Sequence, residues 1–342
     1  MNRAGQITKI SPTAGIAGGE VVIDCAELET SDPTACGVLF NDVRASIVAL
    51  SSSRVLAIVP ELKQAGEINV VLDRAGENSA AKTFTVGKKV VEDLHPVANP
   101  AFDPDDGSLF VTRSGSRGER LPVSLFRIDS GGEVSDYSGD IANPTAIAFD
   151  GEGQMFVSSR LDGTVYRVTA FREALPFARN LGIATGMAFD SAGTMYVGDR
   201  SGTIYKINGI GEEKAWVQLE PSVSAYHLAF GPDGALYVTG PTLSSFDAIH
   251  RIDQNGNAGI FIKGLGRPQG LAFDRAGNLY VVASLKGRRG VVRISPDGSQ
   301  AELFVAGMNL VGLAFGPNGE LALASNDSVY SVPLGIKGVL VS

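Results

Sequence analysis

Hydrophobic and polar residues alternate over short segments along the whole chain, as they do in β-strands whose two faces meet different surroundings. Before residue 90 these segments are separated by Gly, Pro, Asn and Ser. They lie at residues 21–23, 38–40, 46–48, 55–59, 68–72 and 82–86. This number of short strands in so short a region predicts a β-sandwich over residues 5–89.

From residue 94 onward the pattern becomes a repeat. An Ala-Phe pair, usually followed by Asp, precedes a Gly-containing turn and a short aromatic or aliphatic strand. The copies begin at Ala101, Ala148, Ala188, Ala229, Ala272 and Ala314. They follow one another at 47, 40, 41, 43 and 42 residues. A period near forty residues in an all-β sequence is typical of a propeller with one four-stranded blade per repeat, so we predict a six-bladed β-propeller over residues 94–342.

Bulky and small side chains alternate along the innermost strand of each predicted blade. In residues 145–149, Ile147 and Phe149 share one face and Ala146 and Ala148 share the other. A bulky face that packs on the small face of the next blade lets twisted sheets close into a ring. We therefore assign the six phenylalanines of the repeated pair to the core rather than to a ligand site. They are Phe102, Phe149, Phe189, Phe230, Phe273 and Phe315.

The ring also needs an outer strand for its last blade. In the fifth blade, residues 302–305 follow the third strand after a short connection. Residues 338–341 follow the third strand of the last blade after a connection of similar length. We predict that residues 338–341 supply this strand and that the linker residues 89–91 do not.

Composition excludes several classes of function. A net charge of -8 argues against a general binder of nucleic acids or anionic membranes. The start, MNRAGQITKISPTAG, lacks the apolar core of a secretory signal, so we expect a cytoplasmic location. A secreted or periplasmic location is the alternative if a leader was removed. We also expect a monomer. Cys25 and Cys36 are either two buried free thiols or one bridge between strands.

The amino-acid sequence of the first region is more specific than its pattern of strands. The phrases ITKISPTAGIAGGEVVI, VLFNDVRASIVALSSSRVLAIVP, GEINVVL and KTFTV resemble the immunoglobulin-like IPT/TIG family. Turn positions of that family coincide with Pro12, Gly15, Gly18, Gly19, Asn41 and Pro60, whereas Cys25 stands where the family usually has Gly. The resemblance implies a DNA-binding, spacer or adhesion module. Because the region has no basic cluster, a spacer or contact module is favoured.

The repeats, with phrases such as RPQGLAFDRAGNLYVV and GVVRI, resemble NHL repeats and the wider SMP-30/gluconolactonase propeller family. Catalytic members of that family hold a divalent cation at the tunnel mouth with Glu, Asn and Asp side chains. The matching positions here are Ala98, Thr145, Thr185, Tyr226, Gln269 and Val311. None of them is a carboxylate. We therefore expect no metal and no other cofactor, and calcium only if the protein is a hydrolase after all.

Polar residues at this end of the tunnel form the candidate binding site. His227 stands where four other blades have Gly or Ala, and it follows Tyr226. It is either a hydrogen-bonded packing residue or one half of a Tyr-His pair that binds a ligand. Gln269, Thr145 and Thr185 add hydrogen-bonding groups near the axis.

Turns between the second and third strands surround the same end and are basic, while the turns after the Ala-Phe pairs are acidic. Arg160 and Arg200 represent this basic rim. Its other members are Arg113, Arg117, Arg120, Lys286, Arg288 and Arg289. Such a rim would attract an anionic ligand, for example a uronic acid, a phosphorylated sugar or an acidic peptide. Ordinary solvated loop charge is the alternative.

Together these patterns favour a non-catalytic binding protein. Its propeller mouth would bind a protein or a carbohydrate, and the IPT/TIG-like module would act as a spacer or a second contact. The alternative is a hydrolase of lactones or related esters, similar to gluconolactonase. An enzyme of that kind needs carboxylates at the mouth, and the sequence supplies none at the expected positions.

Overall fold

The computed structural model describes residues 5–116, 119, 121–243 and 247–339. Within them it contains 34 β-strands, one short 3-10 helix and no α-helix. The predicted all-β class, an immunoglobulin-like sandwich followed by a six-bladed propeller, is confirmed.

Ten strands and the 3-10 helix Pro33–Ala35 form the first module. The strands are β1 (Gln6–Ser11), β2 (Ala14–Gly15), β3 (Glu20–Ala26), β4 (Cys36–Phe40), β5 (Val43–Arg44), β6 (Ser46–Leu50), β7 (Arg54–Ile58), β8 (Gly66–Arg74), β9 (Glu77–Asn78) and β10 (Lys82–Val86). One sheet has the order β1-β3-β7-β6, and the other has the order β2-β10-β8-β4-β5 with β9 beside β8. Phe40 and Phe84 meet edge to face at 5.3 Å in the core between them. Cys25 and Cys36 are buried there as free thiols.

The remaining strands build six four-stranded antiparallel blades. Blade one is β12 (Ala101–Phe102), β13 (Leu109–Thr112), β14 (Leu125–Ile128) and β15 (Val134–Ser138). Blade two is β16 (Pro144–Phe149), β17 (Met155–Ser159), β18 (Thr164–Val168) and β19 (Ala174–Ala178). Blade three is β20 (Ala184–Phe189), β21 (Met195–Asp199), β22 (Thr203–Ile207) and β23 (Glu213–Gln218). Blade four is β24 (His227–Phe230), β25 (Leu236–Thr239), β26 (Asp247–Ile252) and β27 (Ala258–Leu265). Blade five is β28 (Leu271–Phe273), β29 (Leu279–Leu285), β30 (Arg288–Ile294) and β31 (Ala301–Ala306). Blade six is β32 (Leu310–Phe315), β33 (Glu320–Ser325), β34 (Val329–Pro333) and β11 (Lys88–Val91).

The predicted closure of the ring by residues 338–341 is wrong, because β11 from the linker occupies the outer position of blade six and pairs antiparallel with β34. Gly87 explains this arrangement, since a side chain there would approach Val332 Cγ2 to 2.7 Å. The chain therefore passes from the sandwich straight onto blade six. Beyond β34 it crosses to blade five, where the Val339 amide donates to the Phe273 carbonyl at 2.9 Å. Leu340 and Val341 lie outside the described residues.

The two modules share one continuous sheet. Strand β2 pairs in parallel with both β10 of the sandwich and β31 of blade five, which joins ten strands. Ala306 at the end of β31 packs into the sandwich core. A side chain at Gly19 would lie 2.5 Å from the Ala306 carbonyl oxygen, so the close approach depends on glycine. The guanidinium of Arg288 also donates to the Ser11 carbonyl at 3.0 Å. The sandwich is thus held against the propeller by backbone pairing.

Aromatic rings connect neighbouring blades. The phenylalanine that ends an innermost strand meets an aromatic ring on the second strand of the preceding blade, with centroids 4.8 to 5.9 Å apart. The pairs are Phe110–Phe149, Phe156–Phe189, Tyr196–Phe230, Tyr237–Phe273 and Tyr280–Phe315. Blade six has Ala322 at the corresponding position beside Phe102. The seam between the last and first blades is therefore the one without a ring pair among these contacts.

Candidate functional site

A cavity of about 670 Å³ lies on the propeller axis, at the end where the innermost strands reach their Ala-Phe pairs. We call it the axial cup. The six Ala-Phe pairs of β12, β16, β20, β24, β28 and β32 line its wall. The residues before these pairs add a deeper apolar ring: Ile147, Met187, Leu228, Leu271 and Leu313. Phe149, Phe273 and Phe315 are buried as predicted, whereas Phe102, Phe189 and Phe230 are only partly buried, and all six form the surface of a cavity.

Asn99 lines the axial cup and bonds to two other blades. Its Nδ2 donates to the Leu271 carbonyl of blade five at 3.2 Å, and its Oδ1 accepts from the Leu313 amide of blade six at 3.0 Å. This side chain starts in blade one and therefore joins three neighbouring blades of the ring. Gly270 and Gly312 make room for it, since a methyl group at Gly312 would lie 2.6 Å from Asn99 Cα and one at Gly270 would collide with Asn99 Oδ1.

A polar groove extends the axial cup between blades three and four. Tyr196, Lys206 and Trp216, from three strands of blade three, face Asp253 and Gln254 of a turn in blade four. The Lys206 ammonium lies 4.3 Å from the centroid of the Trp216 ring, and Tyr196 meets that ring edge to face at 5.0 Å. The sequence interpretation did not include these residues, because they come from separate strands. The one usable signal was that Trp216 is the only tryptophan of the chain.

The two aspartates in and near this groove accept hydrogen bonds from neighbouring groups. The Tyr196 hydroxyl donates to the Asp190 carboxylate at 3.2 Å. Burial, and then the charge of Asp190, raise the pKa of Tyr196 to about 12. Asp253 accepts bonds from the amides of Asn255 and Asn257 in its own turn. Both carboxylates that line the axial cup are therefore engaged in local structure.

Four residues of the predicted site lie inside the seams between blades. Thr145, Thr185, Tyr226 and His227 are all at most 2% exposed. Thr185 Oγ1 donates to the Gly198 carbonyl at 2.9 Å and accepts from the Tyr226 amide at 3.1 Å. The Tyr226 hydroxyl donates to the Glu220 carbonyl, and its pKa is raised to about 12 by burial. These contacts join blades three and four around the tunnel.

His227 and Thr145 each keep a buried polar atom without a partner among the described residues, namely Nε2 and Oγ1. Burial lowers the pKa of His227 to about 4, so the imidazole is neutral near pH 7. A buried, neutral imidazole agrees with the interpretation of His227 as a packing residue. Its role in ligand binding stays a prediction.

The two arginines of the predicted site already have carbonyl partners. Arg160 Nη2 donates to Gly115 O at 3.4 Å, and Arg200 donates to Ser222 O at 3.2 Å and Val223 O at 3.0 Å. Burial, and then the charge of Arg200, lower the pKa of Arg160. Arg117 and Arg120 of the basic rim lie outside the described residues.

Gln269 lines a second cavity, between blades five and six. None of the seven predicted residues lines the axial cup. Their role in binding stays a prediction.

The positions that match the metal ligands of catalytic propellers carry threonine, tyrosine, glutamine, valine and alanine, and this donor set does not suit a calcium ion. In the described part of the chain no three His, Cys, Asp or Glu side chains come together as a metal site would require. The absence of a cofactor stays a prediction. No helix in the same part has the length and apolar character of a membrane span.

Residues 6–86 match the model of the IPT/TIG domain family. The first module is an IPT/TIG domain. No curated protein is similar enough in sequence to count as a match. The predicted combination of this domain with a propeller of the NHL/SMP-30 type agrees with the solved structures that are similar to the chain.

Three of these structures illustrate the likeness. An auxiliary nutrient binding protein from Bacteroides thetaiotaomicron has 15% identity and a TM-score of 0.54, and the match covers 97% of this chain and 98% of that one. A second such protein, from Bacteroides ovatus, has 16% identity and a TM-score of 0.55, with 96% and 97% covered. A gluconolactonase from Xanthomonas campestris has 17% identity and a TM-score of 0.60, but covers 72% of this chain and 89% of its own. At these identities the likeness shows the fold alone.

Proposed function

We propose that this protein binds a ligand in the axial cup without catalysing a reaction, and that the IPT/TIG domain is a rigid support beside it. The observation that carries the proposal is the axial cup itself. Its volume, about 670 Å³, falls within the range of about 300–1,000 Å³ typical of ligand sites. Like them, it combines an apolar wall with a few convergent polar groups.

The lining favours a ligand with an apolar body and a polar end. The apolar body would fill the ring of Ala-Phe pairs, and the polar end would meet Lys206, Asp253 and Gln254 in the groove. Apolar side chains of a protein segment fit this description. A carbohydrate fits less well, because Lys206 covers the face of Trp216 on which a sugar ring would stack.

The alternative, a lactone or ester hydrolase, has less support. Hydrolysis needs a general base, a nucleophile with a base beside it, or a metal. Neither His227 nor the other two histidines line the axial cup, and Asp190 and Asp253 are occupied in local hydrogen bonds. The similar structures that extend over nearly the whole chain include two nutrient binding proteins, whereas the gluconolactonase covers a smaller share of it.

Titration with the neutral apolar dye N-phenyl-1-naphthylamine tests the proposal. We expect saturable binding at one site, and an Ala314→Phe variant, which places a ring in the cavity, should weaken it about tenfold or more. Phe171→Ser is the control, because it removes an exposed apolar ring away from the axial cup. Circular dichroism verifies that both variants fold. Absence of saturable binding, or equal binding to Ala314→Phe and the wild type, would refute the proposal.

A further inference from the structure

A second cavity, of about 550 Å³, opens between blades five and six. It is bounded by the loops that precede β28 and β32 and by the turn between β29 and β30. The axial cup, in contrast, lies at the turns that follow the innermost strands. Because strands in a blade are antiparallel, these two sets of connections lie at opposite ends of the blade. The second cavity is therefore on the face opposite to the axial cup.

Two unpaired guanidinium groups line this cavity, which we call the arginine cavity. Arg267 and Arg289 belong to its wall, and no Asp or Glu does. Neither side chain forms an ion pair or a hydrogen bond with any described residue. Other arginines of the chain are engaged, for example Arg251 with Asp233 at 2.7 Å and Arg288 with the Ser11 carbonyl. The arginine cavity therefore carries two positive charges that no described carboxylate neutralises.

Neutral polar groups complete the lining. The Asn309 amide and the Ser284 hydroxyl have no side-chain partner among the described residues, and both line the arginine cavity. Gln269 lies between them and donates weakly to the Leu310 carbonyl at 3.4 Å. These groups can donate to the oxygens of a bound anion while the two guanidiniums supply the charge.

Residues with positive φ also lie around this cavity. Arg267, Lys286 and Asn309 have φ values of 48°, 51° and 57°, and they are three of the eleven residues other than glycine with positive φ in the described part. One lies in each of the three connections that bound the cavity. Lys286 and Gly287 form the usual two-residue turn of a hairpin, and asparagine tolerates this region. Of the three positions, Arg267 is therefore the one whose backbone is strained beside the cavity.

We propose that the arginine cavity binds a small organic oxyanion, a carboxylate or a phosphate, between Arg267 and Arg289. The cavity is large enough for a small metabolite, and two guanidiniums suit the paired oxygens of either group. The site is independent of the axial cup.

Calorimetric titration of the full-length protein with inorganic phosphate and with citrate, at low ionic strength, tests this proposal. One-to-one binding of either anion is expected, and the tighter of the two identifies the class of group. Glucose, as the neutral control, should release no heat. Added salt should weaken binding, because the guanidiniums are exposed to solvent and salt screens their charge.

Two pairs of substitutions locate the site. Arg267→Asn with Arg289→Gln should weaken binding about tenfold or more, because charge-assisted hydrogen bonds are lost. Asn is chosen because it tolerates the left-handed backbone of Arg267. Arg54→Gln with Arg251→Gln is the matched control and should bind like the wild type, since carboxylates of Asp24 and Asp233 already pair with these guanidiniums outside the arginine cavity. Failure of both anions to bind, or equal loss in the two double variants, would overturn the proposal.

Discussion

The closure of blade six by β11 predicts that the linker stabilises the whole propeller. Val90 and Val91 are half-buried against the cluster that contains Leu94 and Val329. A fully buried valine contributes about 1.5–3 kcal/mol, so half-burial gives about 0.75–1.5 kcal/mol for each. The ion pairs of Lys89 with Glu61 and Glu92 are exposed to solvent and screened by it, so they contribute little. Because alanine keeps the Cβ, Val90→Ala with Val91→Ala should lower the free energy of unfolding by about 1–2 kcal/mol.

Urea unfolding followed by circular dichroism measures this effect. The matched control is Val339→Ala, in the segment that the sequence had suggested for the same position. Val339 is 43% exposed, so its truncation should change the free energy of unfolding by less than about 0.5 kcal/mol. If Val339→Ala destabilised the protein more than the double variant, the assignment of β11 to blade six would be wrong.

Three further predictions follow from the site. Asn99→Ala leaves the Leu313 amide unpaired and should cost about 1–3 kcal/mol in chemical unfolding; an unchanged midpoint would contradict the bridging role. The pKa of His227 is about 4 in the folded protein and 6.5 in the unfolded chain, so the unfolded chain takes up a proton at a higher pH. The free energy of unfolding should therefore fall by up to about 3 kcal/mol between pH 7 and pH 4, and His227→Gln should reduce this dependence on pH. The same dependence in the variant and the wild type would contradict the prediction. Calcium titration and a lactone panel should give neither a micromolar site nor turnover, and calcium-dependent hydrolysis would favour the enzyme alternative.

The sequence predicts the blades well because their determinants are local. Each repeat carries its own Ala-Phe pair, turn and strands within about forty residues, so spacing alone defines the unit. The IPT/TIG domain is equally well identified by its sequence segments. The outer strand of blade six is different, because both 88–91 and 338–341 have strand-like sequences. The pairing of β11 with β34 joins segments more than 230 residues apart in the chain, so neither local sequence reveals it.

The candidate site was less predictable for a similar reason. Whether Phe230 is only core or also the wall of a cavity depends on the width of the tunnel, which side-chain alternation does not define. Tyr196, Lys206 and Trp216 are brought together by strand pairing within blade three. Asn99 lies in an ordinary Asn-Pro pair, and only its bonds to blades five and six reveal that it joins neighbouring blades at the axial cup.

The most direct measurement of the central claim is a crystal structure of the protein with the tightest ligand from a screen of peptides and small molecules. Our account predicts density for the apolar part of that ligand in the axial cup, between the rings of Phe149, Phe230 and Phe315, with its polar end near Lys206. Density at the other end of the tunnel instead, beside Thr145 and Tyr226, would contradict it.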